Sequence, residues 1–240
     1  MTQPHNPLES LSGAPELTIN LNDGSNEQVS IIVVNHDKPE YLNICLQSIH
    51  VCSHLNNYEV IVVDNNSGQE TQEYLDVLQE EGIKVVRNTT NKYWSAACNQ
   101  GVAMADPNSS YFIFLHSDTV VLDSAWIDVL INISSSKGAG IVGTSVGDYY
   151  IQKQKAQFVQ EWCMLMSRRC WDDIGPWPEE LPLVGMSFIM TLRAQLKGHK
   201  PQTTSNQIVY HYKSFSMDPS EYEKLTEGAM AKLPKLMQQT

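Results

Sequence analysis

No stretch of this 240-residue sequence approaches the roughly 20 consecutive apolar residues that a membrane-crossing helix needs. Its start also lacks the basic-then-apolar pattern of a secretory signal. Basic residues are scarce: 16 Lys and Arg stand against 27 Asp and Glu, a formal net charge of -11. Such a surface meets nucleic acid or an anionic membrane against repulsion, so neither is expected as the main partner. A small anionic ligand stays admissible, because a bound cation reverses the field locally. The cysteines (Cys45, Cys52, Cys98, Cys163, Cys170) are odd in number and lie mostly in apolar segments. They read as packed, reduced thiols of a cytoplasmic protein rather than a disulfide framework. Glycine phosphate cradles are missing too, with no G-x-G-x-x-G after the first apolar run and no G-x-x-x-x-G-K-[ST] anywhere. Dinucleotide redox and P-loop chemistry are therefore disfavoured, and so is a nucleotidyltransferase with a glycine-rich, basic loop. No internal repeat is visible.

What is present fits one α/β domain. Hydrophobic residues make up 42% and charged residues 18%, an ordinary globular balance at a length able to bury a core. Residues 1–27, rich in Pro, Asn, Ser and Gly, read as a flexible leader, 28–215 as the domain, and 216–240 as a helical tail. Four apolar runs, Val29–Val34, Glu59–Val63, Ile83–Val86 and Tyr111–Leu115, are β-branched or aromatic and unbroken, as expected of strands covered on both faces. Segments with helical spacing lie between them. Pro39 follows Asp37 at one start, and Ser67 with Glu70 forms a capping box at the next. This alternation predicts a mostly parallel, doubly wound sheet with ligands at its carboxyl edge.

Farther on, a helix is expected to about Ser136, a strand over Ala139–Gly143, and an irregular loop from Tyr149 to Glu161. A strand over Trp162–Ser167 and a short helix over Arg168–Ile174 follow. A helix over Gly185–Gly198 comes next, Ile208–Tyr210 leads into His211, and Ser220 with Glu223 starts the tail helix.

Polar residues gather where the runs end: Asn35, His36 and Asp37; Asp64, Asn65, Asn66 and Ser67; and His116, Ser117 and Asp118. Three such ends fit a ligand crevice better than three unrelated turns. Asp118 offers a hard oxygen, and His116 or His211 an imidazole, to a divalent cation holding a diphosphate. Without a thiolate cluster, Mn²⁺ or Mg²⁺ suits that set better than structural Zn²⁺. The plainer alternatives are a cap for Asp118 and packed histidines for His116 and His211.

The blocks SIIVVNHDKPEYLNICLQSI, YEVIVVDNNSGQETQEYL, VVRNTTNKYWSAACNQGVAMA and YFIFLHSDTVVLDSAW resemble, in order and spacing, a family 2 glycosyltransferase. The resemblance runs from Val29 to His211 and implies the GT-A fold. It also implies a nucleotide-diphospho-sugar donor (UDP, GDP or dTDP type), a carbohydrate or glycoconjugate acceptor, and transfer supported by Mn²⁺ or Mg²⁺. HSD occupies the place of the D-x-D-type motif, so Asp118 is carried over as metal ligand, with His116 in place of the first acid. Asn35, His36 and Asp37 match the first nucleotide loop, Asp64 the base-contacting acid, and His211 a late metal or diphosphate histidine. Asn65, Trp94 and Ser117 join the expected donor site, Trp94 having a core role as its plainer alternative.

The resemblance also implies an acidic pair before the L-R-A helix, one member of which deprotonates the acceptor. This chain reads PLVGMSFIMTLRAQLKGHK, with Met186, Ser187 and Ile189 where the acids would stand. Three readings follow. Glu180 or Glu179 supplies the base; or transfer retains configuration without one; or the protein is a non-catalytic binding or scaffold subunit. Trp171 and Trp177, flanking Asp172 and Asp173, read as sugar platforms or as a packed turn.

Overall fold

The computed structural model describes residues 27–53, 56–151, 154–213 and 218–239. The expected leader thus lies almost wholly outside the described residues. The elements in chain order are β1 (Val29–Asn35), α1 (Pro39–Cys52), β2 (Tyr58–Asp64), α2 (Gln69–Glu80), β3 (Lys84–Arg87), α3 (Tyr93–Met104), β4 (Tyr111–His116), β5 (Thr119–Val121) and α4 (Trp126–Lys137). There follow β6 (Ile141–Gly143), β7 (Val146–Ile151), β8 (Gln154–Val159), β9 (Cys163–Ser167), α5 (Arg168–Ile174), α6 (Met186–Leu196), β10 (Gln202–Thr203), β11 (Val209–His211) and α7 (Pro219–Gln238).

Seven strands form the main sheet in the order β10-β6-β9-β4-β1-β2-β3. β1 pairs in parallel with β2 on one side and with β4 on the other, and only β9 runs antiparallel to its neighbours β4 and β6. The chain winds outward from β1 to β3 and then returns across β1 to β4. The order switches between β1 and β4, and their carboxyl ends diverge into a crevice.

The unbroken strand runs have the predicted cause. Ile31 and Val33 of β1 pack with Leu42, Ile49, Leu75 and Trp126 on one face, while Ile32 packs with Ala97, Phe114 and Met164 on the other. Alternate side chains point to opposite faces, so a strand covered twice must be apolar throughout. On the second face α3 lies so near β1 that a Cβ at Gly101 would come within 2.3 Å of Ile32 Cγ2.

Some local expectations change. The segment read as an irregular loop is an antiparallel hairpin, β7 paired with β8 from Val146↔Val159 to Ile151↔Gln154. Tyr149 and Phe158 lay their rings against Phe188 of α6, which holds the hairpin to the body without a second sheet neighbour. Ser67 does not cap α2, because its hydroxyl donates to Asp64 instead, and Gly68 occupies the cap without a side-chain bond. At α7 the cap is Asp218, which accepts from the backbone N–H groups of Ser220 and Glu221, rather than Ser220. The helix then docks through buried Ala229 and Leu233. No described helix is long and apolar enough to cross a membrane.

Candidate active site

The crevice opens into a cavity of about 380 Å³ lined by the ends of β1, β2 and β4, the start of α3, the β8–β9 turn, His211, and Tyr222 of α7. Three backbone pairings assemble it from distant parts of the chain. β5, directly after the HSD turn, pairs antiparallel with β11 so that Thr119 faces His211. The Tyr212 N–H donates to the Asp118 carbonyl at 2.9 Å. Antiparallel pairing of β4 with β9 continues into a bond from His116 N–H to the Trp162 carbonyl at 3.1 Å. His211, 93 residues from Asp118, thereby reaches its carboxylate, with Nε2 3.1 Å from Oδ1.

His116 Nδ1 lies 3.8 Å from the same Asp118 oxygen. One ligand atom from each of His116, Asp118 and His211 lies within 4.8 Å of the others, and these form the only such His/Cys/Asp/Glu group among the described residues. His211 is stacked on Trp162 at 5.1 Å and 19°, and His116 is held against Trp94 at 4.4 Å. Both imidazoles are thus fixed by packing. His116 Nε2 is buried without a hydrogen-bond partner, as is Trp94 Nε1. A buried nitrogen left unsatisfied is costly unless a ligand takes it up. Burial holds the His116 pKa well below the ordinary histidine value, Asp118 opposes this, and His211 reinforces it. The neutral ring that results is the form that ligates metals. One carboxylate oxygen beside two imidazoles fits Mn²⁺ or Mg²⁺ with phosphate oxygens or water completing the shell, and no cysteine enters the group.

The other expected donor residues divide into two groups. Asn35, His36, Asn65, Trp94 and Ser117 line the cavity together with His116, Asp118 and His211. Asp37 and Asp64 do not. Asp64 is fully buried and accepts from Asn35 Nδ2 (3.1 Å), the Ser67 hydroxyl, the Ser67 N–H (3.1 Å) and Gln72 Nε2 (2.7 Å). Its carboxylate ties the ends of β1 and β2 to α2. Asp37 accepts from the Gly68 N–H at 2.7 Å, bracing the same loop from outside. Asn65 bridges toward α3, donating to the Tyr93 carbonyl and accepting from the Lys92 N–H, each at 3.2 Å.

Glu179 and Glu180 are exposed and line a second cavity of about 880 Å³ with Asn99, Trp177 and Arg193, which shares no lining residue with the first. A base at Glu180 would stand outside the crevice that holds the other candidates. Trp177 is buried in the core and turned edge-on to Phe114, while Asp172 and Asp173 are exposed. The turn flanked by the two tryptophans is thus a packed one.

No motif in the sequence around Glu161 marks it as a site residue. It lines the main cavity, and one of its oxygens accepts from the Ser187 hydroxyl at 2.8 Å. Burial raises its pKa above the usual carboxylate value, with Ser187 and His211 pulling the other way. The available signal was a lone acid beside a strand that pairs with the HSD strand.

Residues 30–186 match the sequence profile of Glycosyl transferase family 2. The chain is similar to the O-antigen biosynthesis protein RfbC of Myxococcus xanthus, 20% identical over 226 residues covering 79% of this chain and 18% of that protein. It is also similar to the uncharacterized protein y4gI of Sinorhizobium fredii, 22% identical over 226 residues covering 78% of this chain and 25% of that protein. The chain therefore spans about a fifth to a quarter of the length of these relatives. Among solved structures it resembles the mannosyltransferase PcManGT from Pyrobaculum calidifontis in complex with GDP-Man and Mn²⁺ (TM-score 0.58, 16% identity, 73% of this chain and 54% of that one). It likewise resembles S. aureus TarS 1-349 in complex with UDP (TM-score 0.60, 15% identity, 85% of this chain and 65% of that one). At such identities the structural likeness establishes the fold, which is the GT-A fold expected from the sequence.

Proposed function

The chain belongs to glycosyltransferase family 2, and on that premise we propose that it moves a sugar from a nucleotide-diphospho-sugar to a carbohydrate acceptor in glycan assembly, with a divalent cation at His116, Asp118 and His211. The observation that carries this reading is the convergence of those three side chains, from β4, the turn after it and β11, at the switch point of the sheet. The orphaned His116 Nε2 beside them supports it. The metal- and nucleotide-bound solved relatives support a nucleoside diphosphate as leaving group, and the O-antigen relative supports a glycan product.

Within this reading the residues have separable tasks. Asp64 and Asp37 hold the strand ends in place, Asn65 ties the end of β2 to α3, and Asn35 and Trp94 form part of the wall around the donor. Lys38 and Lys213, both on the cavity wall, add positive charge toward the diphosphate. A bound Mn²⁺ or Mg²⁺ would neutralise charge on the diphosphate as the sugar departs.

Calorimetric titration with UDP, GDP and dTDP, each with Mn²⁺ and with EDTA, tests the proposal. Selective binding of one nucleotide that EDTA abolishes is expected. A folded protein that binds none of them would remove the donor site and leave a non-catalytic scaffold.

A further inference from the structure

A glycosyltransferase needs somewhere to put the proton of the attacking hydroxyl. The resemblance places an acid for this at the start of α6, where this chain has Met186, Ser187 and Ile189. Ser187, in the first turn of α6, is 3% exposed and directs its hydroxyl at a carboxylate arriving from another element, Glu161 of the β8–β9 turn. We propose that Glu161 is the general base of the transfer, set over the start of α6 from the neighbouring turn, and that Ser187 is its positioning residue.

This inference rests on the donor-site reading above. Glu161 lines the main cavity, whereas Glu179 and Glu180 do not. It sits beside Trp162, whose carbonyl accepts from His116 N–H and whose ring stacks on His211, so the carboxylate borders the centre where the sugar–diphosphate bond would lie. Glu161 is half-buried on the cavity wall, and none of the ion pairs among the described residues engages it. Desolvation also strengthens it as a base. The backbone supports the placement: Val159 N–H donates to Thr191 Oγ1 of α6, tying the end of β8 to that helix, and Gln160 N–H donates to the Ser145 carbonyl at the base of the hairpin.

The step balances simply. The acceptor O–H bond breaks and its proton passes to the Glu161 carboxylate as the oxygen forms a bond to the anomeric carbon. The bond from that carbon to the diphosphate oxygen breaks, and its electron pair leaves on the nucleoside diphosphate. Glu161 then returns the proton to solvent. A single displacement of this kind inverts the anomeric configuration.

Four variants, E161Q, E161D, S187A and the double variant E161Q/S187D, would be tested with UDP-glucose, UDP-N-acetylglucosamine, GDP-mannose and dTDP-rhamnose. The readouts are nucleoside diphosphate release to water and, by calorimetry, Mn²⁺-dependent nucleotide affinity. Slow hydrolysis of a matching donor by the wild type is expected, because a base facing the anomeric carbon also activates water. E161Q should lose about 10²–10⁴-fold in that rate, with nucleotide affinity within about twofold of wild type. S187A should lose less, and the double variant should recover part of the rate by returning a carboxylate to the start of α6. Several outcomes would overturn the assignment: hydrolysis by E161Q at the wild-type rate, no hydrolysis by a wild type that binds nucleotide, or loss of metal-dependent affinity in E161Q, which would make Glu161 part of the donor site. If E161Q does not fold, E161D and S187A decide alone, and unchanged rates in both would refute it. Absence of nucleotide binding by the wild type would mark failure of the donor-site reading instead.

Discussion

At Asp118 three demands meet on one residue. Its carbonyl accepts from Tyr212 N–H, its carboxylate oxygen faces two imidazoles, and it follows a strand whose next residues must stay buried. Asp118→Asn keeps the shape and removes the charge. The fold should persist, with an unchanged circular dichroism spectrum, while Mn²⁺-dependent nucleotide affinity falls by about tenfold or more, as for other perturbed metal shells. Unchanged affinity in the folded variant would take Asp118 out of the site. Asp64 should behave in the opposite sense. It is closed off by four donors, so Asp64→Ala should chiefly destabilise the protein, by about 2–4 kcal/mol in denaturant titration, by stranding Asn35, Ser67 and Gln72. The two aspartates look alike in sequence, each ending an apolar strand. What makes Asp64 a brace is its set of four local donors, one of them Gln72, eight residues away on the next helix.

Among the elements, α6 and α7 depend on one another at Gly185. Its φ of 80° is left-handed, and a Cβ there would come within 2.4 Å of Leu233 Cδ1 on α7. Gly185→Ala should therefore cost about 2 kcal/mol or more, combining backbone strain with a collision. Leu233→Ala relieves nothing and opens a cavity, so it should loosen α7 instead. Raised amide exchange over 219–238 would report it, together with weaker nucleotide binding, because Tyr222 lines the cavity and Glu221 accepts from the Tyr93 hydroxyl at 2.5 Å. Exchange confined to wild-type levels would show that α7 docks without Leu233. How legible each element was follows from what covers it. β1, β2 and β4 are sandwiched and spell themselves out in unbroken apolar runs. β7 and β8 pair only with each other, expose Val146 and Tyr150, and send only a few side chains, among them Tyr149, Phe158 and Val159, toward the core, so their sequence lacks an unbroken apolar run and reads as loop. For the same reason Glu161, at the end of that hairpin, was hidden. Its partner Ser187 lies 26 residues on, and what connects them is the packing of the hairpin on α6.

The whole molecule carries a formal net charge of -11 and is proposed to bind an anion, an opposition that a local cation resolves. If the overall field helps draw the cation in, the metal and the nucleotide should respond to salt with opposite signs. Raising NaCl from about 0.02 M to about 0.5 M shortens the screening length to well under 10 Å. Affinity for free Mn²⁺ should then fall several-fold, because attraction by distant carboxylates is lost. Metal-free affinity for the nucleoside diphosphate should hold or rise, because repulsion is lost with it. Titration calorimetry of each ligand separately, at both salt concentrations, measures the two slopes. A salt-independent Mn²⁺ affinity would mean that Asp118 and the two histidines capture the ion unaided, and the acidic surface would then play no part in loading the site. Opposite slopes would instead predict an order of binding at low salt, with the cation entering first and the nucleotide following into a crevice whose local charge has already been reversed.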